Sequence, residues 1–363
     1  MSKFFALVAH LLVLAAGSAY AADKSSHPYN TADFAKVRKY DAHVHANTTD
    51  PAFLSQAKAD GFELLSINVD YPDFPSIEEQ ARIARALRKT DSKRFHYATA
   101  FSMQGWGTPG WTERANAGIS RAVSEGAVGV KIWKNIGMVE KSAGRLIMID
   151  DPGFDPVIAH IVALGIPLIA HQGEPYNCWL ALDQMTNDGD REYFREHPQY
   201  HMFLHPDQPS YETLMGARDR FVARHPELRF VGAHMASLEW NVDRLAAFLD
   251  ANPNANVDLA ARLTAVQYQS VRDREKVRQF FIRYADRLMY ATDLTYAPDA
   301  QPEQFRQEAH QFWTSDWRYL ATAESQRIES IRADVAGLAL PRAVIDKIYF
   351  ANAKREFVRR AVH

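Results

Sequence analysis

Eight short runs of apolar and β-branched residues recur along this chain, and most are followed by a stretch whose apolar residues have helical spacing. Strands that alternate with helices are joined by crossovers, which makes them parallel. Eight is the number of parallel strands that closes an α/β barrel, so we expect a (β/α)8 TIM barrel. The predicted strands are Val37–His45, Phe62–Val69, Phe95–Phe101, Val128–Trp133, Ile166–His171, Phe230–His234, Asn256–Ala260 and Leu288–Asp293.

An open, doubly wound sheet is the alternative arrangement for an alternating pattern of this kind. Sheets of that class that bind nucleotides carry a glycine-rich turn, G-x-G-x-x-G or the GK[ST] type, directly after a strand. The one G-x-G-x-x-G match, at residues 105–110, begins four residues after the end of predicted strand three rather than directly at it, and no GK[ST] motif follows any of the predicted strands. The sequence therefore favours the closed barrel over a nucleotide-binding fold.

Two regions depart from the strand–helix repeat. A long insertion rich in aromatic and polar residues follows strand five, between His171 and Ser210, and long loops inside compact domains are usually functional. The C-terminal third adds helical segments, predicted at Gln304–Thr322, Glu324–Val335 and Val344–Val362. Because the chain has no linker-like stretch, we predict one domain over residues 22–363.

The first 21 residues have the three parts of a secretory signal peptide. A short positive start precedes an apolar run, and Ala19-Tyr20-Ala21 forms the small-residue cleavage pattern. A membrane anchor is the alternative, but the run is shorter than the roughly 20 residues that a span needs. We therefore expect cleavage after Ala21, no stable membrane anchor in the mature chain, and a periplasmic or secreted protein.

The charge balance narrows the choice of partners. The 42 Lys and Arg residues nearly offset the 44 Asp and Glu residues, for a net charge of −2, whereas nucleic-acid binders usually carry a basic excess. The single cysteine, Cys178, excludes an intramolecular disulfide and a multi-cysteine metal cluster. A small-molecule substrate is the expected partner, with no nucleic acid.

Histidine and aspartate side chains stand where several predicted strands end. Strand one ends in His43-Val44-His45, and residues two apart in a strand share a face, so both imidazoles can bind one metal ion. A single H-x-H motif arises easily by chance among 14 histidines. However, His171, His234 and Asp293 end strands five, six and eight, and the carboxyl rim of a barrel is where active sites form. Together these residues predict a metal site.

Lys131 lies in strand four, on the face that we expect to point into the barrel. A buried ammonium is costly unless it is paired or modified. One solution is carbamylation by CO₂, which converts the lysine into a carboxylate that can bridge two metal ions. The other is an unmodified lysine that binds a substrate carboxylate or pairs with Asp293 or Glu174. Both readings stay open.

The strand-end motifs H-V-H, G-V-K-I, I-A-H, G-A-H and A-T-D occur in this order along the chain. The set resembles the amidohydrolase superfamily, and most of all the amidohydrolase-related branch that also contains metal-dependent decarboxylases and lactonases. The C-terminal stretch K-I-Y-F-A-N-A at residues 347–353 is similar to the closing segment of that branch. The resemblance covers essentially the whole mature chain.

The resemblance implies a barrel that holds one or two divalent metal ions, usually zinc. Lys131 matches the position that is a carbamylated lysine in members with two metals. His234 matches a histidine that binds a second metal or acts as an acid or base. The residues that match the family's metal site are His43, His45, His171 and Asp293.

The expected activity is that of an exported metal-dependent hydrolase, which attacks a carbonyl C–N or C–O bond of a small molecule with a metal-activated water. In this scheme Asp293 takes the proton of the water, and His234 polarises the carbonyl or holds the water. A metal-dependent, non-oxidative decarboxylase is the alternative. A periplasmic binding protein on a degenerate barrel is the non-enzyme alternative, and the near-complete ligand set argues against it.

Three further residues are candidates for substrate binding. Arg262 follows strand seven, where an arginine suits bidentate binding of a carboxylate, although it could equally be an ordinary ion-paired arginine. Glu174 begins the insertion after His171, and Trp133 alternates with Lys131 on strand four. Barrels of this kind often associate, so a homo-oligomer stays open.

Overall fold

The computed structural model describes residues 27–357, so the predicted signal peptide lies outside the described residues. Within this range a nine-stranded sheet has all of its neighbouring strands parallel, in the order β8-β7-β6-β5-β4-β3-β2-β1-β9. The strands are β1 Lys39–Ala46, β2 Phe62–Ile67, β3 Phe95–Ala100, β4 Val130–Ile132, β5 Leu168–Ala170, β6 Phe230–Gly232, β7 Ala255–Asp258, β8 Leu288–Met289 and β9 Thr295–Tyr296.

The sheet closes because β8 and β9 lie on one stretch of chain beside β1. The N–H of Ala42 donates to the carbonyl of Tyr290 over 3.0 Å, and the N–H of Asp293 donates to the carbonyl of His43 over 2.8 Å. Further along, His45 of β1 is in register with Thr295 of β9. The eighth barrel strand is thus interrupted around Asp293 and then resumes, and the predicted (β/α)8 barrel is confirmed.

Helices follow the strands and cover the outside of the barrel. In the helix that begins at Ile77, the hydroxyl of Ser76 accepts from the N–H of Glu79 and caps the first turn. Its residues Ile83 and Leu87 are buried against the sheet. The helices of eight or more residues are Ala52–Ala59, Ile77–Thr90, Trp111–Ser124, Asp155–Ala163, Asp188–Glu196, Tyr211–Arg224, Val242–Ala251, Leu263–Arg272, Arg274–Arg283 and Pro302–Ala321.

The barrel has an apolar core on each side of its sheet. The larger core packs the outer face of the strands against the helices, and a smaller one fills the barrel interior. Tyr40, Leu65 and Met289 belong to the interior core. Because this apolar core fills the interior of the barrel between the strands, polar side chains gather at the carboxyl rim.

The helix predicted at Glu324–Val335 is wrong. Strands Ser325–Ile328 and Ala333–Ala336 form an antiparallel hairpin there, joined by a turn in which Arg332 has a φ of 54°. The isoleucines at 328 and 331 are three apart, which imitates helical spacing, but the hairpin exposes alternate residues instead. A second hairpin, Lys141–Ser142 with Arg145–Leu146, follows β4.

The described C-terminal segment covers the amino end of the barrel. Its helical pieces are Arg342–Asp346, a π-helical turn at Lys347–Ala351, and Asn352–Glu356. The amide of Asn352 donates to the carbonyl of Leu288 over 2.7 Å. Residues 358–362 of the predicted Val344–Val362 helix lie outside the described range.

The insertion after β5 folds into short 3-10 turns and the helix Asp188–Glu196. It has a small apolar core of its own, in which Cys178, Met185 and Phe194 are buried. Among the described residues, no helix is both long enough and apolar enough to cross a membrane. The single domain over residues 22–363 stays a prediction.

Candidate metal centre

A β-bulge in β1 turns two histidines toward the barrel interior. The register with β2 shifts by one residue between Asp41 and Val44. Ala42 packs in the interior core and Val44 in the outer core. Because the bulge adds one residue, His43 can point inward directly after the inward-facing Ala42. Its imidazole lies 4.9 Å from that of His234, measured between ring centroids.

His234 follows β6 in an unusual backbone conformation. Residues 234 to 237 all have positive φ, between 55° and 57°, although none of them is glycine. Left-handed helical backbone costs L-residues roughly 1–2 kcal/mol each. Gly232 allows this turn, because a Cβ there would lie 2.5 Å from the Cβ of Ala236.

The helix Tyr211–Arg224 holds the left-handed turn in place. The guanidinium of Arg218 donates to the carbonyl of Ala236, and the hydroxyl of Tyr211 donates to the carbonyl of Ser237 over 2.5 Å. Arg218 and Tyr211 are both buried. The helix that follows this turn begins at Val242.

The side chains of His43, His45 and Asp293 converge on one point. One ligand atom from each lies within 4.8 Å of the other two. The Oδ1 atom of Asp293 is 3.3 Å from Nε2 of His43 and 3.2 Å from Nε2 of His45. Asp293 reaches this position from the interrupted eighth strand, where its φ is 70°. Two imidazoles and a carboxylate at this spacing suit a divalent metal ion.

Hydrogen bonds to the protein determine which imidazole nitrogens remain free. Nδ1 of His43 bonds to Oδ2 of Asp258 over 2.9 Å, and Nδ1 of His45 to the carbonyl of Ile67 over 2.8 Å. Nδ1 of His234 bonds to the carbonyl of Ala260 over 3.0 Å. Since these oxygens only accept, each Nδ1 carries the proton, and each Nε2 keeps a lone pair.

His171 adds a fourth imidazole to the group. Its ring centroid lies 4.1 Å from that of His234. The Nε2 atom of His171 is buried and has no hydrogen-bond partner among the described residues. A buried, unpartnered nitrogen is costly unless a ligand occupies it, and the donor set as a whole therefore fits a metal ion.

Asp258 was not among the predicted site residues, although it holds two of them. Its Oδ2 orients the ring of His43, and its Oδ1 accepts from the N–H of His234 over 2.7 Å. Asp258 is 1% exposed. Burial alone would raise the pKa of the Asp258 carboxyl group, but the neighbouring His43 holds that pKa below the usual range. The available signal was a carboxylate at the end of apolar strand seven, in Val257-Asp258-Leu259.

Asp41 supports the centre from the outer side of β1. Its carboxylate accepts from the hydroxyl of Thr292 over 2.6 Å, the N–H of Thr292 over 3.0 Å and the indole of Trp313 over 2.9 Å. Thr292 directly precedes Asp293, so these bonds fix the turn that presents the Asp293 carboxylate. Burial raises the pKa of Asp41 to about 7.

Lys131 points into the centre, as the alternation of β4 predicts. Its Nζ atom lies 3.2 Å from Nε2 of His43, and the residue is 2% exposed. Among the described residues, Nζ makes no ion pair with Asp293 or Glu174. Burial lowers the pKa of Lys131 to about 8. A depressed pKa increases the neutral amine fraction, which is the form that reacts with CO₂.

The electrostatics of the centre favour neutral imidazoles beside an ionised carboxylate. Burial and the neighbouring His234 hold the pKa of His171 well below its usual range. Burial also holds the pKa of His234 well below the usual range. Burial alone would raise the pKa of Asp293, but the imidazoles of His234 and His43 hold it well below the usual value. These are the protonation states that metal ligands need.

The centre opens into a cavity of about 160 Å³. Aromatic side chains form one wall, where the rings of Tyr71 and Trp133 lie 4.6 Å apart. Lys134 also lines this cavity and forms an ion pair with Glu174. Of the predicted substrate-binding residues, Trp133 therefore faces the cavity, whereas Glu174 reaches it only through Lys134.

Arg262 stands in a neighbouring cavity of about 400 Å³, which Asp293 and Thr295 also line. Its guanidinium donates to the carbonyl of Ala261 over 3.0 Å, and its buried Nε has no partner among the described residues. The structure thus brings Arg262 to the side of the metal centre without placing it in the same cavity as His43.

A parallel barrel that gathers imidazoles and a carboxylate at its carboxyl rim belongs to a class of metal-dependent enzymes. The chain matches the amidohydrolase family over residues 40–357, a range that includes every residue of the centre. It therefore belongs to that family and is an enzyme of the amidohydrolase superfamily, as the strand-end motifs predicted. A search of curated proteins gives no match.

Solved structures are similar to this chain at low sequence identity. The 2,6-dihydroxybenzoate decarboxylase from Rhizobium is 16% identical, with a TM-score of 0.53 over 88% of this chain and 98% of that chain. The 4-oxalomesaconate hydratase from Rhodopseudomonas palustris is 13% identical, with a TM-score of 0.48 over 88% and 96%. At such identity the decarboxylase match shows the shared fold and not the reaction.

Proposed function

We propose that this protein is an exported metal-dependent hydrolase that cleaves a carbonyl C–N or C–O bond of a small molecule. The observation that carries the proposal is the convergence of His43, His45 and Asp293 within reach of one ion. His171, with its unpartnered Nε2, completes the proposed ligand set. Zinc is the metal that this combination of imidazole and carboxylate ligands suits best.

A bound divalent ion would lower the pKa of a coordinated water toward about 7 and polarise the substrate carbonyl. The chain supplies the proton transfers. The side chain of Asp293 is 30% exposed, whereas that of His43 is 1% exposed, so Asp293 is the more accessible of these two residues that line the cavity. Its ionised carboxylate accepts a proton from the attacking water and delivers it to the leaving group.

His234 orients the substrate in this proposal. Its Nδ1 proton is committed to the carbonyl of Ala260, so at neutral pH its Nε2 is an acceptor that can hold the attacking water. A transiently protonated His234 would polarise the carbonyl. The fixed left-handed turn keeps the ring in position for either task.

Lys131 has two proposed states. As an unmodified ammonium it would attract a substrate carboxylate toward the centre. As a carbamate it would supply an additional carboxylate and allow a second metal ion. Growth or incubation with ¹³C-bicarbonate separates these states, because a carbamate gives a carbonyl-carbon NMR signal that disappears in Lys131→Ala.

A non-oxidative decarboxylase is the second candidate function. The cavity favours it in one respect, since Tyr71, Phe74 and Trp133 form an aromatic wall close to Lys131 and Lys134. Such a wall suits a carboxylated aromatic ring. Release of CO₂ from a panel of aromatic acids would identify the decarboxylase, whereas hydrolysis of esters, lactones or amides without CO₂ release would identify the hydrolase.

Metal content per chain tests the proposal. Plasma mass spectrometry on the wild type, His43→Ala and Lys131→Ala gives the number of bound ions, and His160→Ala is the matched control. His160 lies on an outer helix and bonds to Ser120. We expect His43→Ala to lose the metal and His160→Ala to retain it.

The number of ions then decides the type of centre. About two ions, falling in Lys131→Ala, would indicate a carbamate-bridged pair. About one ion, unchanged in Lys131→Ala, would indicate a single-ion centre. Absence of metal from the wild type, even after zinc or manganese is supplied, would overturn the proposed function.

Export is a separate part of the proposal and rests on the N-terminal sequence pattern. N-terminal sequencing of the mature protein from a periplasmic fraction checks it. A mature chain that begins at Ala22 is expected, and an intact Met1 in the cytoplasmic fraction would contradict it.

A further inference from the structure

A second polar cavity, here called the insertion cavity, lies between the insertion and Arg262. Its volume is about 170 Å³, and because a water molecule occupies about 30 Å³ of liquid, it has room for about five non-hydrogen atoms. Asn177 and Asp190 of the insertion form one side. Glu239 and Arg262 of the barrel rim form the other.

Two charged groups of this cavity have polar atoms without a partner. Glu239 is 2% exposed, and its Oε1 accepts from the N–H of Tyr176 over 2.8 Å. Its Oε2 is buried and, among the described residues, has no hydrogen-bond partner, and the same holds for Nε of Arg262. Unpaired buried charges are costly, so their persistence in a folded site points to a ligand.

The two charges face one cavity without neutralising each other. No ion pair joins Glu239 to Arg262 in the part of the chain that the structure describes. Their charges still interact, because Arg262 opposes the rise in the pKa of Glu239 that burial causes. A ligand with both charges could lie between them, its carboxylate on the guanidinium and its ammonium on the carboxylate.

Arg262 also connects the insertion cavity to the metal centre. Ala261, Arg262 and Thr264 line both the insertion cavity and the 400 Å³ cavity that contains Asp293. A group held in the insertion cavity is therefore one side chain away from the space beside the proposed metal ion. This arrangement suits a substrate with its reactive bond at the centre and a charged end under the insertion.

We propose that the insertion cavity is a recognition subsite for a zwitterionic group, in which Arg262 binds a carboxylate and Glu239 binds an ammonium of the same ligand. The chemical class is that of an α-amino acid or the amino-acid end of a larger molecule. Only the identification of this ligand as the substrate rests on the proposed function. Arg262 and Glu239 are then specificity-determining residues rather than catalytic ones.

Ligand-observed NMR titration of the full mature chain tests the subsite with three small probes. Glycine has both charges, acetate has only the carboxylate, and methylammonium has only the ammonium. We expect glycine to bind the wild type at least about tenfold more tightly than either single-charge probe, which corresponds to about 1.4 kcal/mol. Glycine binding no tighter than acetate would mean a water-filled cavity and would overturn the proposal without any variant.

Charge-neutral variants assign the two contacts. Glu239→Gln keeps an acceptor for the N–H of Tyr176 and should weaken glycine about tenfold while leaving acetate unchanged. Arg262→Gln should weaken both glycine and acetate. Controls are Glu212→Gln, which removes a 64% exposed carboxylate, and Arg272→Gln, which removes an exposed arginine. Unchanged glycine affinity in Glu239→Gln would overturn the assignment.

Metal content, measured on the same samples, keeps this proposal separate from the enzyme proposal. Glycine binding by a protein that takes up no metal would leave the subsite standing and remove the hydrolase. Metal uptake with no preference for glycine would leave the hydrolase proposal standing and remove the subsite. The variants are expected to keep the metal content of the wild type, since neither residue belongs to the proposed ligand set.

Discussion

Two lysines of the barrel strands, Lys39 and Lys131, have the same burial and different surroundings. Lys39 is 0% exposed and Lys131 is 2% exposed, and burial lowers the pKa of each to about 8. Lys39 stands at the closed amino end of β1, where its ammonium bonds to the main-chain carbonyls of Phe34 and Val37. Lys131 stands at the open carboxyl end of β4, against Nε2 of His43.

The difference lies in what the partner can do. The main-chain carbonyls beside Lys39 can only accept hydrogen bonds from its ammonium. The ring of Phe34, 4.2 Å from Nζ of Lys39, adds a cation–π contact and completes the surroundings of this ammonium. The Nε2 atom of His43 is a proposed metal ligand, so Lys131 competes with an ion for the same lone pair. A perturbed pKa alone therefore does not separate a structural lysine from a functional one.

The largest expected effect comes from removing the partner of Lys131. His43→Ala takes one ligand from the centre, so we expect metal affinity to fall by more than about 100-fold, beyond the loss typical of an outer-shell change. Competition with a chromogenic chelator measures the affinity. Metal affinity within a few-fold of wild type would place the ion elsewhere and make Lys131 as structural as Lys39.

Asp258→Asn tests whether Asp258 orients His43, the partner of Lys131, for metal binding. An amide can donate to Nδ1 of His43 and so favour the wrong tautomer, which should lower metal affinity about 10- to 100-fold. The same chelator competition applies, with Asp250→Asn as control, since that carboxylate is 52% exposed and pairs with Arg283 on the surface. Equal affinities of the two variants would contradict the role of Asp258.

Lys39→Met tests the structural lysine of the pair through the pH dependence of the stability of the protein. The pKa of Lys39 is about 8 in the folded protein and about 10.5 in the unfolded chain. The unfolded state therefore holds more protons above pH 8, and the contribution of Lys39 to stability rises with pH. We expect it to add about 2 kcal/mol to the free energy of unfolding between about pH 8 and about pH 10.

Urea titrations of the wild type and Lys39→Met at these pH values give that difference. The variant should lack this part of the rise and keep the metal affinity of the wild type. A parallel pH dependence in both proteins would show that Lys39 keeps its ordinary pKa. A loss of metal in Lys39→Met would remove the distinction between the two lysines.

Lys134 gives the smallest expected effect. It lines the cavity, but its partner is the ordinary carboxylate of Glu174. Removing both charges in Lys134→Met with Glu174→Gln leaves no unpaired ion, so we expect a stability change within about 1 kcal/mol and unchanged metal content. Thermal unfolding with metal analysis measures both quantities, and loss of the ion would show that Lys134 acts on the centre.

The repeat of strands and helices was readable from the sequence because buried parallel strands are short continuous apolar runs. A helix start has a local sequence signal where a side chain caps it, as Ser76 does by accepting from the N–H of Glu79. The segment at 324–335 is predicted as a helix, but it turns at Arg332 and forms a hairpin. A positive φ at an arginine has no reliable local signature.

The members of the centre that end strands were predicted, including His43, His45 and Asp293, because a barrel brings strand ends together. The supporting residues were not. Asp258 accepts from the N–H of His234 only because β6 and β7 lie side by side in the fold. Asp41 likewise gains its role only beside Thr292 of the eighth strand. Their partners lie far away in sequence, so a strand-end carboxylate such as Asp258 gains a specific role only in the tertiary structure.

The left-handed turn at residues 234–237 has a consequence for how the site meets its ligand. Gly232 and the bonds from Arg218 and Tyr211 restrict this turn to one conformation before anything binds. The loss of conformational entropy thus occurs when the chain folds, and ordering His234 adds no further entropic cost to association. This part of the rim is therefore preorganised for association.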